Sequence, residues 1–60
     1  MNETILLIED NESIIMGLEY LLTEEQYTFL AAKTKKEAQD LLASRQVDLV
    51  LLAAFPSGRY

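Results

Sequence analysis

Residues 4–12 read Thr4-Ile5-Leu6-Leu7-Ile8-Glu9-Asp10-Asn11-Glu12, and this stretch decides the fold. A strand with one wet face alternates apolar and polar residues, whereas Ile5 to Ile8 are all aliphatic, the pattern of a strand covered on both faces. The run stops abruptly at an acidic pair. Asn11 is then a good helix N-cap, and Glu12 falls in the first turn, near the positive end of the helix dipole. Beyond it Ile14, Ile15, Leu18, Leu21 and Leu22 recur at three-and-four spacing, which predicts one buried helix face. Glu19, Glu24 and Glu25 are left for solvent. Gly17 costs this helix about 1 kcal/mol relative to Ala, a cost that a close packing contact at that position would offset.

Working outward, Tyr27 to Ala32 combines aromatic and apolar residues and predicts a second strand. Thr34-Lys35-Lys36-Glu37 matches a capping box, in which the Thr34 hydroxyl accepts from the Glu37 amide and the Glu37 carboxylate reaches back to the Thr34 amide. Ala38, Leu41 and Leu42 form a short apolar stripe behind it, and Arg45 suits the negative end of that helix. Asp48 to Ala53 or Ala54, nearly all apolar, predicts a third strand. Pro56, Ser57 and Gly58 make residues 55–60 an irregular tail.

The element order is therefore β-α-β-α-β, an α/β chain. Strands alternating with helices imply a parallel sheet with right-handed crossovers. The first and third strands are the most uniformly apolar and the second is mixed, which predicts the spatial order 2-1-3 with helices on opposite faces. This is the beginning of a flavodoxin-like doubly wound sheet, whose full order is 2-1-3-4-5.

Composition narrows the function classes. Half of the 60 residues are hydrophobic, so the chain can fold. A domain of this length nonetheless buries only about 60% of the surface its unfolded chain exposes, which makes a lone monomer marginal. With no Cys and no His, disulfides are excluded and the usual zinc ligands are missing. Ten acidic against five basic residues give a net charge of -5, which argues against nucleic acid as a partner. The basic cluster Lys33, Lys35 and Lys36 reads as a solvated loop leading into the second helix. Met1-Asn2-Glu3-Thr4 lacks the positive segment of a secretory signal, and the longest apolar run, Leu49 to Phe55, is far short of the ~20 residues that span a bilayer. No membrane association is expected, and the cytoplasm is the default location.

Ile5-Leu6-Leu7-Ile8-Glu9-Asp10-Asn11, the helix after it, and Val47-Asp48-Leu49-Val50-Leu51-Leu52 together resemble the receiver domain of bacterial two-component response regulators. The resemblance spans residues 4 to 54 but only the N-terminal half of such a domain. It implies phosphoryl transfer from a sensor histidine kinase, or a small phosphodonor, to an aspartate at the end of the third strand, with Mg²⁺ held beside it. On this resemblance Glu9 and Asp10 occupy the acidic-pair positions, Asp10 being the more direct metal ligand, and the Phe55 carbonyl would also face the metal.

The acceptor position, after Leu52, is Ala53. Alanine has no oxygen nucleophile, so an acyl phosphate cannot form there, and no catalytic residue is expected. Losing one carboxylate also weakens Mg²⁺ binding, leaving Glu9 and Asp10 as a vestigial metal pair or as solvated or capping residues of an ordinary loop. Asp48 cannot substitute, because at about 3.3 Å per residue it lies well over 10 Å from the strand's far end. Ser57 has no feature that would activate it. The Ser/Thr and Lys that the family carries on its fourth and fifth strands have no counterpart in this chain.

A third strand that expects a neighbour leaves an apolar edge at Leu49, Val50, Leu51 and Leu52, a template for association. The expectation is an obligate homodimer joined through these four residues, by sheet continuation or by exchange of a helix. The alternatives are a regulatory decoy that binds a sensor histidine kinase without accepting phosphate, and a fragment of a larger protein with no separate role.

Overall fold

The computed structural model describes residues 2–52. Ala53, Phe55, Ser57 and the expected tail at 55–60 lie outside the described residues, as does any continuation of the third strand past Leu52. Five elements run along the chain: β1 (Thr4–Ile8), α1 (Glu12–Glu24), β2 (Thr28–Ala32), α2 (Lys35–Ser44) and β3 (Leu49–Leu52). The three strands form one parallel sheet in the order β2-β1-β3. The chain is thus the α/β arrangement expected, with β1 in the centre.

Both helices start as their caps dictate. Asn11 is extended at φ -90° and ψ 116°, and its Oδ1 accepts from the amides of Ser13 at 2.9 Å and Ile14 at 3.3 Å. Thr34 accepts from the Glu37 amide at 3.1 Å. The reciprocal half of the capping box differs from expectation: the Glu37 carboxylate accepts from the amide of Lys33 at 2.8 Å, not from that of Thr34. One residue further out is still an unpaired donor at the helix entrance, so the same side chain satisfies a neighbouring group.

α1 ends in a left-handed turn that the sequence did not announce. Gln26 sits at φ 70°, its amide donates to Thr23 O, and the Tyr27 amide donates to Leu22 O, each at 3.0 Å. This is the Schellman pattern, which satisfies two terminal carbonyls and is usually built on glycine. Arg45 caps α2 through its backbone amide, which donates to Leu41 O at 2.8 Å.

The core divides by strand alternation. Leu6, fully buried, joins Ala32 and the α2 residue Ala38, with Ile8, Leu30, Leu41 and Val47 packed around them. Ile5 and Leu7 point to the opposite face, where Ile15 is the buried residue of α1. The placement follows from handedness: the β1-to-β2 crossover and the β2-to-β3 crossover run in opposite directions across the sheet, so right-handed connections lay their helices on opposite faces.

The helices bury less than their periodicity predicts. On α1 only Ile15 is buried, Leu18 and Leu22 are half-buried, and Ile14 and Leu21 are exposed; on α2 Leu42 is exposed. α1 lies against β2, and α2 lies against β2 and β1, while neither makes more than marginal contact with β3 among the described residues. A three-stranded floor is too narrow to cover both flanks of a helix. Gly17 also departs from expectation, because a Cβ built there meets nothing within 4 Å. The glycine serves no close approach.

Candidate functional site

The C-terminal ends of the parallel strands, where open α/β sheets bind ligands, carry the acidic pair. Glu9 follows β1 directly, and its amide donates to Ala32 O at 3.0 Å, which extends the β1–β2 ladder by one bond. The residue is only 3% exposed. This corrects the expectation of a solvated residue: with one wall from β2 and another from the entrance of α1, the turn folds the carboxylate inward. Oε2 accepts from the Asn11 amide at 2.9 Å, so Glu9 shapes the turn that delivers Asn11 to its capping position. Oε1 is buried with no hydrogen-bond partner among the described residues. Asp10, next along the chain, is exposed.

A second contact closes this end of the molecule from the β2–α2 side. Lys33 Nζ pairs with the Glu12 carboxylate, joining the first turn of α1 to the loop before α2. Both side chains are largely exposed, so the pair orients the loops and adds little stability. It does occupy one of the three lysines read from the sequence as free surface charge. Lys36 approaches Asp40 one turn along α2 at 3.8 Å, also on the surface.

Among the described residues these donors do not amount to a Mg²⁺ site. The ion demands octahedral oxygen ligation and retains several waters when protein-bound. Glu9 offers one oxygen already used by Asn11 and a second that is buried from solvent. Asp10 is the one further carboxylate of the pair, and no group of three or more candidate ligands occurs among the described residues. Ala53, at the expected acceptor position, has no side-chain oxygen to add.

The opposite end of the sheet holds what sequence reasoning passed over. Asp48 Oδ2 accepts from the Thr4 amide at 2.7 Å, and the Asp48 amide donates to Thr4 O at 2.8 Å. This two-bond clasp sets the register of β3 on β1. A cleft of about 360 Å³ lies here, lined by Asn2, Glu3, Thr4, Gln46 and Asp48. Asp48 therefore sits at the start of the strand, at the far end from Glu9, as its sequence position requires.

β3 completes the picture. Its register is Leu49 opposite Ile5, Val50 opposite Leu6, Leu51 opposite Leu7 and Leu52 opposite Ile8. Leu49, Val50 and Leu52 are exposed, Leu52 by 68%, and Leu51 is half-buried. Paired residues in a parallel sheet point to the same face, so Val50 and Leu52 share the α2 face with Leu6. Leu49 and Leu51 share the α1 face with Ile5 and Leu7. On α1, Met16 and Tyr20 are also exposed, at 65% and 66%. No helix among the described residues is long and apolar enough to cross a membrane. No protein-family model matches the chain, nor does any curated protein or solved structure.

Proposed function

We propose that this chain is receiver-like, corresponding to the N-terminal half of a two-component receiver domain, that it cannot accept phosphate and that it acts through self-association. The observation that carries the reading is β3: an edge strand with no charged residue between Leu49 and Leu52 and with three of its four side chains exposed. Natural sheets protect an edge with charge, proline or a covering element. β3 has none of these among the described residues, and a second copy supplies the cover with the fewest assumptions, because two-fold symmetry buries the same patch on both chains.

The receiver part of the reading rests on the acidic pair after β1, the order of elements and the hydrophobic third strand. Ala53 removes the nucleophile, and the buried, partly engaged Glu9 leaves little for a metal to bind. The chain is accordingly a non-enzymatic signalling element. Incubation of the 60-residue chain with acetyl phosphate and Mg²⁺, followed by intact-mass measurement, tests this half of the proposal. A phosphoryl adduct overturns it.

A second reading is favoured by α1. Met16 and Tyr20, one turn apart and both largely exposed, offer an apolar pair to a sensor histidine kinase. The chain would then occupy the kinase as a decoy. Titration of a labelled kinase with the chain separates the readings, since binding abolished by Tyr20→Ala supports the decoy and absence of binding removes it.

A further inference from the structure

We infer that the second copy seats on the α2 face of the sheet, over Val50 and Leu52, and that the α1 face is turned away from it. The inference rests on the self-association proposed above and specifies its geometry.

Area is the first argument. Pairing two four-residue edges covers a strip about 13 Å long and about 5 Å across. A stable interface needs roughly 800 Å² from each partner. Edge-to-edge hydrogen bonding alone is therefore too small, and at least one face of β3 must be included. Sheets stacked about 10 Å apart let side chains from both copies interdigitate, which edge pairing cannot do.

Charge selects the face. α1 carries Glu12, Glu19 and Glu24 with no basic residue, and Glu25 follows at its cap. A two-fold contact on that face brings two uniformly acidic helices together, and like charges juxtaposed at an interface are strongly unfavourable. α2 is balanced: Lys35 and Lys36 against Glu37 and Asp40, with Arg45 at its cap. A copy facing α2 meets both signs and can pair them across the rim. Val50 and Leu52 lie on this face by register, and Leu42 adds an exposed side chain on its helix. The α1 side exposes more apolar side chains, at Ile14, Met16, Tyr20, Leu21 and Leu49, so the choice of face rests on charge. Lys33 is paired with Glu12 and does not offset the acidity of α1 beyond its first turn.

The test is sedimentation equilibrium of the 60-residue chain with one lysine placed on each face. Leu52→Lys alters a largely exposed position and should weaken association by roughly tenfold or more, while Leu21→Lys on α1 should leave it unchanged. The reverse pattern overturns the face assignment and leaves self-association standing. A wild-type monomer overturns self-association itself. Should Leu52→Lys unfold by circular dichroism, spin labels decide instead: the chain has no cysteine, so Leu42→Cys and Leu21→Cys each give one label per copy. A shorter inter-copy distance at 42 than at 21 supports the α2 face, and the opposite order refutes it.

Discussion

Leu52 stands opposite Ile8 in the parallel register of β3 on β1, yet the two side chains have different fates. Ile8, on the central strand, is packed against the core formed by Leu6, Ala32 and Ala38, while Leu52 remains 68% exposed. The two leucine-rich strands are similar in sequence and differ in what covers them. In the sequence Glu9 follows Ile8 and Ala53 follows Leu52.

Asn11 is the hinge between strand and helix, because it receives the Glu9 carboxylate on its amide and caps α1 with its side chain. Asn11→Ala keeps the first bond and removes the cap, so the chain should lose about 1 kcal/mol of stability. Urea unfolding at one fixed chain concentration measures this, with the change appearing in the midpoint and not in the slope. A shift below a few tenths would mean that the cap bonds are not formed.

Gly17 lies in the middle of α1 with open space where a Cβ would be. Gly17→Ala should therefore stabilise the chain by about 0.5–1 kcal/mol, through helix propensity and a less flexible unfolded state. The melting temperature should rise by about 4–8 °C for each kcal/mol gained in a domain of this size. A destabilised variant would show that a partner packs closely against this glycine.

Gln26 bears the opposite cost. At φ 70° its Cβ crowds the backbone, and glycine there should gain about 1 kcal/mol while keeping both Schellman hydrogen bonds. Thermal melting of Gln26→Gly checks this, and an unchanged or lower melting temperature would contradict the left-handed turn.

Much of this architecture is legible in the residues. The bounds of β1 follow from its aliphatic run, both helix starts follow from Asn11 and Thr34, and the order 2-1-3 follows from which strands lack polar residues. The end of α1 does not, because Glu24-Glu25-Gln26 has no glycine to mark a left-handed residue. The exposure of Ile14, Leu21 and Leu42 is equally hidden. Periodicity tells which face of a helix is apolar, and the width of the sheet beneath decides how much of that face is covered. At the candidate site, the acidic pair and the remoteness of Asp48 are visible in the sequence. The burial of Glu9 and the Thr4–Asp48 clasp depend on how β2 and β3 close around β1, which no local signal carries.

Phosphorylation offers a chemical check that is independent of assembly. Acetyl phosphate with Mg²⁺ should leave the intact mass of the wild-type chain unchanged. Mg²⁺ alone should raise its melting temperature no more than the same ionic strength of a monovalent salt, because ligand binding to the folded state would appear as a concentration-dependent gain. A specific Mg²⁺-dependent stabilisation would show that Glu9 opens to the ion.

Self-association is the central claim, and sedimentation equilibrium of the 60-residue chain over a dilution series tests it most directly. The account predicts a two-copy mass that persists to low micromolar concentration, strengthened by salt as the net charge of -5 on each copy is screened. A compact, folded monomer across the same range would contradict it.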